Sequence, residues 1–112
     1  MTTLTLSERN TLLNLAHHDD ELPAKDGDLR IWWVPQVPGK AFIKRVASPE
    51  EAAMLLDTLA AYDAFQLVHN IKPDYCNSGG LSVFDGGEWF DWTDEDGNEF
   101  EEWRRANSAL AA

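Results

Sequence analysis

Between Ser48 and Pro73 the chain carries a complete set of start and stop signals for one long helix. Ser48 is placed to accept from early backbone amides, Pro49 occupies the first helical position, where its missing N–H costs nothing, and Glu51 completes a capping box. Asn70 and Pro73 close the element, because the residue before a proline leaves the α region. The spacing predicts a helix from Pro49 to about His69. Its core stripe is Ala52, Leu55, Leu56, Leu59, Tyr62 and Gln66, at intervals of three and four. Asp63 falls beside that stripe, between Leu56 and Leu59 on the helical wheel. A carboxylate there needs partners, and the segment from Asp74 to Ser78 would supply them through Asn77 or Tyr75.

On both sides of this helix the pattern switches to strands. Arg30 to Val34 is rich in β-branched and aromatic residues, Pro35, Pro38 and Gly39 make a connection, and Ala41 to Ala47 returns as an antiparallel partner. Beyond the helix, Asp74 to Gly80 reads as a loop in which Gly79-Gly80 supplies backbone freedom. Leu81 to Phe84 and Glu88 to Trp92 form a second hairpin around Asp85-Gly86-Gly87. A turn at Asp94-Glu95-Asp96-Gly97 leads to a short further strand, Asn98 to Glu102, and Trp103 to Ala112 is a frayed or helical tail. At the other end, Ser7 would cap a short helix carrying Leu12, Leu13, Leu15 and Ala16 and ending near His18. A polar loop from Asp19 to Asp28 follows, broken by Pro23 and Gly27. The expected fold is α+β: an antiparallel sheet of four to five strands in two hairpins, packed on one long helix, plus a short N-terminal helix. With 112 residues there is room for one domain, 1–112.

Charge bears on partners more than on fold. Nine Lys plus Arg face twenty Asp plus Glu, a formal net charge of −11. Nucleic-acid phosphates and anionic membrane surfaces both select basic footprints, so neither is the expected partner. Acidity of this kind serves solubility, or a surface that meets a basic protein or complex. Met1 to Ser7 has neither a basic nor an apolar region of signal-peptide type, and no run reaches the length of a membrane span. Cys76 is the single cysteine, which excludes an intrachain disulfide and fits a reducing compartment. The expectation is a soluble cytoplasmic protein without a cofactor or a dedicated metal site.

Two stretches imitate metal sites. Ala16-His17-His18-Asp19-Asp20-Glu21 is similar to the Ala-His-Pro-Asp-Asp-Glu motif of zinc-dependent LmbE/PIG-L-type deacetylases, with His18 in place of the proline. Such enzymes set the motif after a buried parallel strand in a larger domain, whereas here a helix precedes it, so a charged helix end is the expected role. The segment around Asp94, Asp96, Gly97 and Asn98 suggests a calcium loop. Aligning Gly97 with its sixth position puts Trp92 and Trp103 where oxygen ligands belong, so a hairpin turn is expected.

Two regions remain as candidate sites. From Asp85 to Glu102 there are nine carboxylates and no Lys or Arg, interleaved with Trp89, Phe90 and Trp92. Strand alternation places Glu88, Phe90 and Trp92 on one face and Trp89 and Asp91 on the other. The expected partner-binding residues are Asp85, Glu88, Trp89, Asp91, Trp92, Asp94, Glu95 and Asp96, where aromatic anchors sit among carboxylates. The alternative is a small enzyme or ligand-binding site on the loop, with Cys76 as thiol, His69 as base, Asp74 orienting it and Asn77 beside them. A third reading is a homodimer that buries exposed tryptophans.

The run Asn70-Ile71-Lys72-Pro73-Asp74-Tyr75-Cys76-Asn77-Ser78-Gly79-Gly80-Leu81 resembles a stretch found in small proteins of phages and plasmids, to which no activity is attached. With Gly87-Glu88-Trp89 and Asp94 to Gly97, the resemblance covers about the last half of the chain. It implies a mobile-element origin. Joined to the charge argument, it makes the leading expectation a non-enzymatic acidic binding protein. Its role would be that of an inhibitor mimicking nucleic acid toward a host nucleic-acid-handling or defence complex.

Overall fold

Local signals decide the first elements. Ser48 caps the long helix by accepting from the Glu51 N–H, with Pro49 in the first turn. The return contact from the Glu51 side chain does not form, and that carboxylate stays exposed to water. The complete capping box occurs instead at the N-terminal helix. There Thr5 accepts from Glu8 N–H while the Glu8 carboxylate accepts from Thr5 N–H. Thr5, and not Ser7, is therefore the cap: only Thr5 has a glutamate three residues on.

The computed structural model describes residues 3–111. Its elements are α1 (Leu6–Ala16), β1 (Leu29–Val34), β2 (Phe42–Val46), α2 (Pro49–Val68), β3 (Ser78–Asp85), β4 (Glu88–Asp91) and α3 (Phe100–Ala111). Met1, Thr2 and Ala112, the outermost residues of the expected N-terminal segment and tail, lie outside the described residues. The four strands form one antiparallel sheet in the order β2-β1-β3-β4, so the fold is α+β as expected. Both hairpins are present, and β1 joins them by pairing with β3.

Pairing sets the faces. Leu29, Ile31 and Trp33 of β1 stand opposite Val83, Leu81 and Gly79 of β3, and this side carries α2. Ile31, Trp33, Leu81, Ala52, Leu56 and Phe100 are the buried cluster, with Leu55, Leu59, Trp92 and Trp103 packed around it. Tyr62, expected in the stripe, is exposed. It stands one residue, about 100° of helical rotation, from the inward-facing Asp63, and so misses the sheet.

Gly79 and Gly80 are not loop residues. They lie in β3 opposite Trp33 and Trp32, and the absent side chains make room for indoles. A Cβ on Gly80 would meet the Trp32 ring at 2.7 Å. The turn into β4 does need glycine freedom: Gly86 and Gly87 take φ of 57° and 91°, the two positive values of a type I′ hairpin. At the far end of α2, Asn70 takes φ of 59°. Its N–H donates to Leu67 C=O, and Ile71 N–H donates to Gln66 C=O, which completes a Schellman stop three residues before Pro73.

The expected strand from Asn98 to Glu102 is replaced by one isolated bridge, Thr93 to Glu99, after which the chain enters α3. Helical spacing brings Phe100 and Trp103 together, stacked at 5.8 Å, and Trp92 meets both edge-on at 6.0 and 5.7 Å. A strand would send alternate side chains to opposite faces and could not bury that trio together.

Candidate functional site

The acidic hairpin is built on the outer strand. Asp91 pairs with Ser82, Phe90 with Val83, Trp89 with Phe84 and Glu88 with Asp85, which fixes the alternation expected from the sequence. Asp85, Glu88, Asp91, Glu95 and Asp96 are all exposed. Phe90 is half-exposed on the helix side of the sheet, because α2 packs mainly over β1, β3 and β2 rather than over this outer strand. Trp89 points to the opposite face and is partly covered. The guanidinium of Arg30 sits 4.2 Å, and that of Arg45 5.1 Å, from the centroid of a Trp89 ring. The segment is thus free of cations in sequence, but its first tryptophan carries two in space.

Where β4 ends, a cleft of about 200 Å³ opens beside β3. Trp32, Trp92 and Phe100 supply aromatic surface, Gly79 and Gly80 the backbone floor, and Asp91, Glu99 and Glu101 the acidic rim. Of these rim carboxylates, Glu101 is engaged by Arg104 at 3.2 Å. Asp94 stands apart from the other acids in the turn. It accepts from the N–H groups of Asp96 and Asn98 and from the Asn98 side chain, at 2.9, 2.8 and 3.1 Å. The Asn98 side-chain bond, with help from those amides and against the cost of burial, holds its carboxyl below the ordinary value. Asp94 builds the turn, the hairpin role expected for this calcium-like segment.

The four loop residues each have a different neighbour. His69 ends α2 and its ring contacts Phe65 at 4.5 Å. Asp74 accepts from the Gln36 amide at 2.5 Å. Cys76 is exposed, with its sulfur 3.9 Å from Val37 C=O and its own carbonyl accepting from Val37 N–H at 2.7 Å. Asn77 donates to Asp63. No contact joins His69 to Cys76 or to Asp74 among the described residues, so the structure does not assemble a thiol, base and orienting group there.

Asp63 is the centre of what this loop does build. It is 3% exposed, and its two oxygens accept from Lys72 and from Asn77, the latter a partner expected from the wheel. Lys72 also donates to Pro35 C=O. Burial pushes the Asp63 pKa up, but the Lys72 and Asn77 bonds and the Lys72 charge together bring it below its ordinary value. The network ties the end of α2, the following loop and the β1–β2 connection into one unit.

A similar anchor sits after α1. The His17 imidazole lies 2.8 Å from the Asp20 carboxylate and that of His18 2.6 Å from Asp19. Asp19 is buried and accepts from Arg45 N–H at 2.8 Å, with Lys44 at 3.4 Å. The histidine-rich stretch is thus more than a solvated helix end: Asp19 ties it to β2.

One surface went unnoticed in the sequence. On α2, Met54, Ala61, Phe65 and Val68 form a second stripe on the side away from the sheet, continued by Ile71 and flanked by Tyr62, and all six are exposed. Their spacing of seven, four and three was the available signal. It is masked because the inner stripe has the same period. No helix among the described residues is long and apolar enough to cross a membrane.

Comparison with known proteins gives two matches. A family model described as superinfection exclusion gene product 17 matches residues 28–110. A protein of Salmonella phage P22 called superinfection exclusion protein is 48% identical, over 60% of this chain and 78% of that one. The expected kinship with phage proteins is borne out at this level. No solved structure matches the chain.

Proposed function

Because the chain belongs to the superinfection exclusion gene product 17 family, we propose that it acts in superinfection exclusion as a non-enzymatic acidic protein that binds and inhibits a host component. The binding surface in this reading is the outer hairpin and the turn after it: Asp85, Glu88, Asp91, Glu95 and Asp96, with Phe90 and Trp92 as apolar contacts. The target is a basic protein or complex that handles nucleic acid, approached through carboxylates standing where phosphates would lie. The site of action is the cytoplasm.

The observation that carries this reading is the density of exposed carboxylates around the aromatic cleft at the end of β4, in a chain of net charge −11. A partner's arginine or lysine entering that cleft would meet indole faces and the Asp91 and Glu99 carboxylates together. Trp89 takes a supporting role, already held by Arg30 and Arg45, and Asp94 shapes the turn. The separate engagements of His69, Asp74, Cys76 and Asn77 favour a structural role for the loop over a catalytic one.

The test is capture of partners from host lysate on the immobilised protein at low and at high salt. A basic partner retained at low salt and released at high salt supports the proposal. The triple charge reversal Glu88→Lys, Asp91→Lys, Glu95→Lys should abolish capture while leaving the circular dichroism spectrum unchanged. Capture that survives the reversal removes the acidic surface from the mechanism.

A further inference from the structure

The sheet stops short on one side of β3. β4 pairs with Ser82 to Asp85 only, so Ser78 to Leu81 pair with β1 and have no strand on their other edge. Two hydrogen bonds fix which backbone groups face that gap. Phe84 N–H donates to Asp28 C=O on the side of β1, whereas Leu81 C=O accepts from Trp92 N–H on the outer side. Alternation along the strand then turns Gly79 outward, as it does Leu81. The N–H and C=O of Gly79 have no backbone partner among the described residues. An open pair of this kind is a template for a further strand. The cleft at the end of β4 and a second one of about 260 Å³ both run against Gly79 and Glu101, and together they form one trough along this edge toward Asn77.

We propose that this edge takes an extended segment of the bound protein, added antiparallel to β3 in line with β4, with a basic residue opposite Gly80 and an apolar residue opposite Gly79. The apolar residue exchanges both backbone hydrogen bonds with Gly79. Strand addition draws its affinity from such main-chain bonds and its specificity from alternate side chains. This inference rests on the cleft being the contact site of the proposed function, and adds the conformation and the residue pattern of what enters it.

Register supplies the pattern, because side chains opposite each other in an antiparallel pair share a face. Opposite Gly80 that face carries Trp32, its partner on β1, and Asp91, which stands opposite Ser82 two residues on. The Trp32 indole lies across Gly80, close enough to collide with any Cβ there. Asp91 and Glu99 on the rim are exposed and have no cation within ion-pair distance among the described residues. No Lys or Arg lines this cleft. A basic side chain therefore meets an indole and two unpaired carboxylates, and an acidic one is repelled. Opposite Gly79 the side chain falls on the α2 face, where the second cleft presents Trp33, Leu56 and Ala60. The one cation there, Arg104, is already held by Asp57 and Glu101. An apolar side chain fits that position.

The experiment titrates the blocked peptide acetyl-Arg-Leu-Thr-amide into the isotope-labelled full chain and follows the backbone amides by NMR. The Gly79 N–H signal should move downfield as it gains an acceptor, and further than that of Gly80, which faces β1. The dissociation constant should be about 1 mM or lower. N-methylation of the peptide leucine removes the donor to Gly79 C=O and should weaken binding about tenfold or more. Citrulline in place of the peptide arginine keeps the shape without the charge and should also cost about tenfold. Asp91→Asn should cause a similar loss, and citrulline should then cost less than it does against the wild-type chain. A Gly79 signal that stays in place up to about 10 mM peptide overturns the proposal. So does an N-methylated peptide that binds equally well, which would put the arginine in the cleft without a strand. If the triple charge reversal still abolishes capture from lysate, either result removes strand addition alone and leaves the proposed function standing. A citrulline peptide that binds as well as the arginine one removes acidic recognition from this cleft as well.

Discussion

Asp63 and Asp91 are the same residue type in the same strongly acidic chain, and they do opposite things. Asp63 is buried, with both oxygens occupied by Lys72 and Asn77, and its removal would leave those donors with nothing to bond. Asp91 is exposed on the outer strand, with no cation within ion-pair distance among the described residues. Asp19 belongs with the first, and Glu88, Glu95 and Asp96 belong with the second. The difference teaches that the net charge divides into a small part that builds the fold and a larger part that the fold does not use. Only the second part is available to a partner.

The sharpest way to break this division is Asp63→Ala. It should lower the unfolding free energy by about 3 kcal/mol, because the part-buried Lys72 and Asn77 lose their acceptor, measured by urea denaturation. A change near zero would mean that this network is no more structural than the exposed acids. Asp19→Ala should cost less, about 1–2 kcal/mol, through the orphaned N–H of Arg45. The same measurement reads it, and β2 amides should exchange faster with deuterium.

Acid titration sharpens the contrast further. Asp63 and Asp19 are both held below their ordinary value of 3.8, since hydrogen bonds and nearby cations outweigh the cost of burial. A carboxyl whose folded pKa is depressed contributes its full stability above the unfolded value. That contribution is lost as pH falls through the folded one. Stability should therefore drop below about pH 3.8, and Asp63→Asn should flatten the drop. Smallest of all should be the stability effects of Glu88→Lys and Asp91→Lys, within about 0.5 kcal/mol each. If either unfolds the chain, the outer carboxylates are structural after all.

What could be read from the sequence follows the range of the interactions involved. The start of α2 was legible because a cap involves neighbours three residues apart, and the Asp63–Asn77 contact because a wheel position exposes a misplaced carboxylate. The hairpin at Gly86-Gly87 was legible for the same local reason. Gly79 and Gly80 misled because their role depends on Trp33 and Trp32, which reach them only through the pairing of β3 with β1. Trp89 looked free because Arg30 and Arg45 come from two other strands. The start of α3 at Phe100 was hidden because a short apolar and acidic segment suits strand or helix equally. Its choice is made by Trp92 and the core. The candidate surface was visible as a run of acids, but its division between Asp94, which shapes a turn, and its solvated neighbours was not.

The position of β1 between β2 and β3 has a consequence for how the chain reaches this state. One edge of β1 can be paired as soon as β2 exists, within a local hairpin. Its other edge waits for β3, some 50 residues later, with all of α2 between them. On a ribosome adding about 5–20 residues per second, that edge is unprotected for roughly 3–10 s. During this interval Ile31, Trp32 and Trp33 form a short apolar strand with open hydrogen-bonding groups, the kind of segment that pairs with the wrong neighbour. Yield in the cell should accordingly be limited less by the stability of the finished sheet than by what shields β1 before β3 arrives.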